Sequence, residues 1–348
     1  MRRASKGAKN YAQSAFNSAI IIFIAASLGT IFGYLFRLVL ARNLTQEEFG
    51  LFYAVLAFFS LFAIFQNLGL NQALVKKIAE LNAKGRAKEI PGLFRIILSF
   101  QTLSSFVASA IFFFAADIIA TAFFHAPEAA PVIRVLTLFF FLSTLYGILL
   151  SVLQGYQHLA AYAGWELARW IAFFIFLVIG LAVTGRHDPL IPAWSYIAGF
   201  TLLMIPLLVF TRSRLPKIFA IPARYDMAIA KGALVFGLSI MLSSVANAIM
   251  GFTDTLMLSY FSTIIHVAYY NVSIPITKAF LGFAVAISTV MLPLSSEMKA
   301  RKANESLRKG IGTLYLYVLA VSLPLAFLFI TYAPLILFVL FGRDYIAA

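Results

Sequence analysis

Among the charged residues inside long apolar stretches, four are candidates for chemistry: Lys278, Asp254, Arg37 and Asp117. Near the centre of a bilayer such a group costs roughly 2.5–3.5 kcal/mol on insertion scales, so it needs a partner or a wet cavity. Lys278 lies near the middle of its run. Asn271, Lys278, Gly282 and Thr289 share one helical face at heptad-like spacing. Pro275 lies between the first two, where it can bend the helix and free carbonyls. A lysine there is a point charge with three donors, suited to holding an anionic group. The alternative is a lysine that snorkels to an interface or pairs inside the bundle. Asp254 falls in the outer third of its run, on a polar and small face with Ser244, Asn247 and Gly251. That face suits a coupling ion or proton, one half of a gate ion pair, or a hydrated helix end. Arg37 shares its face with Ala26, Gly29, Thr30 and Gly33, small residues that admit a neighbouring helix. It reads as an anion contact, as a gate partner for Asp254, or as an interfacial arginine. Asp117 is expected to be a hydrated end residue.

No catalytic constellation accompanies these charges. The chain has no cysteine, so it offers no disulfide, thiolate metal site or cysteine nucleophile. Its histidines, His125, His158, His187 and His266, have no ligand-like spacing, and no metal site is expected. No glycine-rich phosphate loop or nucleophile elbow occurs. The sequence therefore points away from an enzyme and from an ATP-driven pump, and no cofactor is expected. Energy for any transport would come from a Na+ or H+ gradient, the membrane potential, or downstream pull on the product.

The elements that must position these residues follow from composition. Of 348 residues, 62% are hydrophobic and 11% charged, with mean hydropathy +0.93. Soluble domains are nearer half apolar and a quarter charged. A water-soluble enzyme or nucleic-acid-binding domain is excluded. Nine apolar stretches are long enough to cross a bilayer. They run roughly over 15–40, 50–71, 93–119, 132–153, 166–184, 191–210, 233–258, 268–293 and 311–332. Their continuity excludes a membrane barrel, which would show short alternating segments. The first follows Arg2, Arg3, Lys6 and Lys9 and is too long for a signal peptide core, so it reads as an uncleaved helix.

All but six of the 27 Lys and Arg residues fall on one side of such a map. The exceptions are Arg37, Arg42, Arg134, Arg186, Lys278 and Arg343. Basic loops stay cytoplasmic, so the N-terminus is assigned to the cytoplasm. Connections at 72–92, 154–165, 211–232 and 294–310 then face inward. Those at 41–49, 120–131, 185–190 and 259–267 face outward. The formal charge of +14 is explained as topogenic, and nucleic acid is not expected as a partner.

The fold class read here is an all-α polytopic membrane protein with about nine transmembrane helices and two pseudo-symmetric helical lobes. Residues 1–210 form a first six-helix lobe and 211–232 a cytoplasmic linker with Pro216 and Pro222. Residues 233–348 form a partial second lobe of three helices and a turn. The lobes resemble each other at an offset of 218 residues without a gap. Gly33 falls on Gly251, Leu40 on Leu258, Thr45 on Thr263 and Phe49 on Val267, while Leu51 and Phe52 fall on Tyr269 and Tyr270. Parallel repeats of this kind are a transporter architecture. A six-plus-six arrangement would need three more spans, so the chain is expected to be truncated at its C-terminus.

An ordered set of short motifs resembles one family. Arg42-Asn43-Leu44-Thr45 with Glu48-Phe49-Gly50-Leu51-Phe52 looks like the first outer loop of lipid-linked oligosaccharide flippases. Gln66-Asn67-Leu68-Gly69-Leu70 with Ala73 resembles the end of their second helix, and Leu153-Gln154-Gly155 the end of the fourth. Asp254-Thr255-Leu256-Met257-Leu258 and Ala268-Tyr269-Tyr270 resemble helices seven and eight. Phe341-Gly342 with Tyr345 resembles the turn after helix nine. These flippases are the polysaccharide-exporter branch of the superfamily that includes multidrug and toxic-compound extrusion carriers. The resemblance implies a multi-pass cell-membrane protein that carries a polyprenyl-pyrophosphate sugar from the inner to the outer leaflet by alternating access. Lys278, Asn271 and Arg37 would then bind substrate, and Asp254 and Asn247 would serve a coupling ion or gate. Expected partners are membrane lipids, the lipid-linked oligosaccharide and proteins of polysaccharide assembly. Two alternatives stay open: a cation-coupled drug exporter, and a non-transporting component of an assembly complex. The inner segment Gln154–Arg169 carries Tyr156, Tyr162 and Trp165, aromatics suited to anchoring helices at the interface, as is the adjoining Trp170. A Glu166–Arg169 pair there is expected as local support.

Overall fold

A computed structural model describes residues 2–185, 188–220, 226–278 and 304–348, with side chains from residue 19 onward apart from 220, 304, 306, 307 and 309. The described chain is helical throughout: α1 (Arg2–Asn43), α2 (Gln46–Asn67), α3 (Leu70–Ala83), α4 (Ile90–Phe114), α5 (Ala116–Ala122), α6 (Ala129–Gly155), α7 (Leu159–Thr184), α8 (Leu190–Arg214), α9 (Pro216–Ala220), α10 (Met227–Phe261), α11 (helical over 264–278) and α12 (Asn304–Phe341), with two short 3₁₀ turns. Among the described residues, eight helices are long and apolar enough to span a membrane. The span expected over 268–293 lies largely outside the described residues. The protein is an all-α, multi-pass membrane protein.

Two compact units are present, Met1–Val267 and Ala268–Ala348. In the first, α6 is the hub, packed by α2, α3, α4, α5, α7 and α8, while α1 lies along α7 and α10 along α2 and α3. Burial separates inner from outer helices. In the apolar windows of α2 and α6, 56% and 50% of residues are buried, against 17% for α1, α4, α7 and α10. The outer helices expose Phe23, Ile111, Phe114 and Val183. Apolar side chains exposed on this scale mark a surface that meets lipid.

Local sequence explains the ends. Thr45 accepts from the Glu48 backbone N–H while the Glu48 carboxylate accepts from the Thr45 N–H, a reciprocal cap that starts α2. Asp226 accepts from the N–H groups of Ala228 and Ile229 and starts α10. The expected connection over 154–165 is shorter than its polar residues suggest. Only residues 156–158 leave the helices, with Gln157 at φ 61°, because Leu159–Ala163 already packs as the first turn of α7. Much of the expected connection over 72–92 is α3, whose Leu70, Leu74, Ile78 and Leu81 form a buried stripe.

The turns that follow α1 and α10 carry matching helix-end hydrogen bonds. At the α1–α2 turn, Leu44 N–H donates to Leu40 O (2.9 Å) and Phe49 N–H to Thr45 O (3.0 Å). At the α10–α11 turn, Ser262 N–H donates to Leu258 O (3.0 Å) and Val267 N–H to Thr263 O (3.3 Å). All four residue pairs are related by the same offset of 218. In the second unit, Gly342 at φ 102° turns the chain after α12, and the buried Tyr345 ring returns against Phe341 and Tyr269.

Candidate functional site

Arg37 is half-buried on α1, with its guanidinium carbon 4.3 Å from the centre of the Tyr53 ring. Tyr53 is buried on α2 beside Phe49 and Phe52, at 4.7 and 5.3 Å between ring centres. Behind it, Tyr196 of α8 stacks on Phe36 at 5.0 Å and meets Phe173 of α7 at 4.4 Å. Arg37 is thus the cationic edge of an aromatic core drawn from four helices. A guanidinium on a ring face keeps electrostatic stabilisation where water is scarce, and its planar N–H fork matches phosphate geometry.

The small residues beside Arg37 have a different neighbour from the one expected. A Cβ on Gly29 or Gly33 would stand 3.1 or 3.2 Å from the Trp170 ring of α7. These glycines seat an indole rather than admit α10. Among the described residues, no atom lies within 4 Å of the would-be Cβ of Gly251 on α10, so none of the described helices approaches closely there.

Asp254 and Asn247 lie on the exposed side of α10, whose buried face is Ala233, Gly237, Ala248, Thr255 and Ser259. The Asn247 amide donates to Ser243 O at 3.0 Å and the Ser244 hydroxyl to Ile240 O at 3.0 Å, so both polar groups bond back to their own helix. Asn271 and Lys278 belong to the second unit: Asn271 is buried on α11, and Lys278 is exposed at the end of its described part. Gly282 and Thr289 lie outside the described residues. Asp117 is not simply hydrated: Arg134 of α6 reaches it at 2.5 Å, tying α5 to α6. Glu166 and Arg169 form the expected i,i+3 pair at 2.5 Å. Among the described residues, no group of three His, Cys, Asp or Glu side chains could hold a metal ion.

One feature of the site escaped the sequence reading. The apolar run over 50–71 is not one helix. It breaks at Leu68 and Gly69, both left-handed at φ 49° and 66°. A break at membrane depth must satisfy its freed backbone groups internally. Here side chains do so: the Gln101 amide donates to Asn67 O (3.2 Å) and Asn67 Oδ1 (3.1 Å), and that same Oδ1 accepts from Asn71 N–H (3.2 Å). Gln66 donates to Ser105, and Ser105 reaches Thr144 at 3.4 Å, extending the network to α6. The signal was present in Asn67-Leu68-Gly69, a helix stop with glycine in place.

The break faces α10 through backbone alone. A Cβ on Gly69 would lie 2.1 Å from the Gly237 carbonyl oxygen. At the other end of α2, a Cβ on Gly50 would lie 2.2 Å from the Ile264 carbonyl oxygen. Beside the Gly69–Gly237 contact, the Lys76 ammonium sits 3.6 Å from the centre of the Phe236 ring. The antiparallel α2–α10 seam is therefore closed by glycine at its Gly69 end, while Gly50 meets the start of α11 at the other, near Tyr53 and Arg37.

Comparison with known proteins agrees with this architecture. The chain is 26% identical over 337 residues to an uncharacterized membrane protein of Methanocaldococcus jannaschii, a match covering 94% of this chain and 66% of that protein. The chain thus spans a little under two thirds of that relative's length. Residues 15–299 match the family described as "Polysaccharide biosynthesis protein", and the chain belongs to that family.

Proposed function

We propose that the protein acts as a flippase that moves a polyprenyl-pyrophosphate-linked oligosaccharide from the inner to the outer leaflet by alternating access. The observation that carries the proposal is a cation, Arg37, held half-buried over Tyr53 inside a membrane bundle whose family serves polysaccharide biosynthesis. A pyrophosphate is the kind of group that repays a desolvated guanidinium. Lys278 and Asn271 on α11 would contribute further contacts to the head group, and Asp254 with Asn247 would serve a gate or a coupling ion. Drive would come from Na+, H+ or the membrane potential, with the protein in the cell membrane and its N-terminus in the cytoplasm.

Reconstitution into vesicles tests this directly. Translocation of a lipid-linked oligosaccharide that falls at least tenfold in Arg37→Ala or Lys278→Ala, at matched incorporation, supports the reading. Uptake of a cationic dye without translocation of the lipid-linked sugar would replace it with the drug-exporter alternative. Because the chain has no cysteine, single cysteines at Gly85 and Glu128 test the topology. An impermeant thiol reagent applied to intact cells should label position 128 and spare position 85.

A further inference from the structure

A second site lies on the lipid-facing side of the first unit. An apolar groove runs between α4 and α10, walled by Ile96, Ile97 and Phe100 on one side and by Met227, Ala230 and Leu234 on the other. Phe100, Met227 and Leu234 are 44%, 75% and 38% exposed, so the groove opens sideways toward the bilayer. Lys231 stands at its rim, at the basic end of the bundle.

Several charges at this end of the bundle are already engaged, whereas Lys231, among the described residues, is not. Lys77 and Lys84 share Glu80 at 3.0 and 2.6 Å. Arg86 pairs with Glu89 at 2.9 Å and approaches Asp226 at 3.7 Å. Lys76 lies on the Phe236 ring, and Arg95 donates to Phe219 O at 3.4 Å. Lys231 is exposed and makes no ion pair among the described residues. An exposed ammonium at the mouth of an apolar groove complements an amphiphile with a single anionic head and a hydrocarbon chain. Leu234 lies one helical turn deeper than Lys231, about 5 Å along the axis, as a chain leaving a head group requires.

We infer that this groove binds a resident anionic phosphate lipid of the surrounding leaflet, its phosphate on Lys231 and its chain between Phe100 and Leu234. The occupant is a membrane lipid rather than cargo, because Lys231 is the one polar side chain among the described lining residues. An oligosaccharide head group would need several hydrogen-bonding partners there. The site is separate from Arg37 and does not depend on what the protein transports.

The absence of native cysteine makes the test clean. A bimane on Phe100→Cys, in the full chain in nanodiscs, reports quenching by brominated-chain phosphatidylglycerol or phosphatidylcholine diluted into unbrominated phosphatidylcholine. The expected result is half-quenching at a mole fraction of phosphatidylglycerol at least threefold below that of phosphatidylcholine. Lys231→Gln should remove the preference, and Ala230→Leu should relieve quenching by filling the groove. Position 114, 81% exposed at the opposite end of α4, should show no preference when Phe114→Cys carries the same probe. Equal quenching by the two lipids at position 100, a preference that survives Lys231→Gln, or the same preference at position 114 would overturn the inference. Displacement of the brominated lipid by equimolar polyprenyl phosphate, but not by unbrominated phosphatidylglycerol, would also overturn it and make the groove a cargo site.

Discussion

Gly69 and Gly237 meet backbone to backbone, the Gly69 Cβ position 2.1 Å from the Gly237 oxygen and the Gly237 Cβ position 2.7 Å from the Leu68 oxygen. Neither neighbour is a side chain that can swing away. Gly69 is also left-handed at φ 66°. The sequence Asn67-Leu68-Gly69 thus ends α2, turns the chain into α3, and brings α10 closer than any side chain would permit.

Two terms oppose alanine at Gly69. The left-handed backbone costs roughly 1–2 kcal/mol with a Cβ present. Overpacking adds typically about 1–3 kcal/mol. Gly69→Ala should therefore lower stability by at least about 2 kcal/mol, with Gly237→Ala close behind through the clash alone. Gly251→Ala is the control, since nothing lies within 4 Å and a helix interior favours alanine. Thermal unfolding in detergent should rank the three variants in that order, and equal midpoints would refute the pinned seam.

Gln101 holds the same break from the other side. It is fully buried, and its amide serves both the Asn67 carbonyl and the Asn67 side chain. Gln101→Leu takes the side-chain donor from the Asn67 carbonyl and leaves Asn67 Oδ1 with Asn71 N–H alone, which costs about 1–3 kcal/mol. Gln101→Glu should be worse, because it brings a carboxylate against those oxygens. Denaturant unfolding of the two variants checks the order. A neutral Gln101→Leu would mean that the break is held by packing alone.

Hydropathy made the membrane helices legible, because an apolar run long enough to cross a bilayer has few other stable fates. The break in α2 was harder to read. Leu68, Gly69 and Leu70 are apolar enough to pass as helix interior, and the groups that satisfy the break come from residue 101, remote in sequence. Helix α3 was hidden by its charges: Lys76, Lys77 and Glu80 depress the average hydropathy while Leu70, Leu74, Ile78 and Leu81 keep the helical period. The smallness of Gly29 and Gly33 was visible, whereas Trp170 as the occupant of that space is a tertiary fact. The same holds for Asp117, whose partner Arg134 lies on another helix.

Glu80, on α3 beyond the membrane-spanning segments, gives a pH prediction. Hydrogen bonds from Lys84 and then Lys77, with their charges, lower its pKa from 4.5 to about 2. A carboxyl lowered on folding adds stability above its unfolded pKa and loses it as pH falls through the folded value. The Glu80 contribution is therefore present above about pH 4.5 and fades toward pH 2. The pair is solvent-exposed, so salt should weaken it. The Glu80 carboxyl carbon shift, followed by NMR, should titrate near pH 2 and move upward in Lys84→Met. Titration at 4.5 in the intact protein would show that the ion pairs do not form in solution.

If the protein is the flippase proposed above, Arg37 and Asp254 are predicted to act as a pair that biases its outer side closed. They occupy nearly equivalent positions in the repeat, each about two helical turns before its turn into α2 or α11. Tyr53, the ring on which Arg37 lies, is three residues from Gly50, whose neighbour Ile264 follows Asp254 by ten residues, so both charges lie toward the same end of the α2–α10 seam. Because Trp170 fills the Gly29–Gly33 face, any approach must come from the Tyr53 side of α1. A pair partly shielded from water gains Coulomb energy but loses much of it to desolvation, so it can tilt an equilibrium without locking it. Substrate phosphate competing for Arg37 would release the bias. Arg37→Ala and Asp254→Asn should each increase thiol labelling of a cysteine placed at the outer mouth, for example at Thr263. The swap Arg37→Asp with Asp254→Arg should recover part of the closure. The double-mutant cycle decides the matter: a coupling of about 0.5 kcal/mol or more, expected for interacting residues, supports the pair. Additive effects with no recovery in the swap would leave Asp254 as an independent ion site.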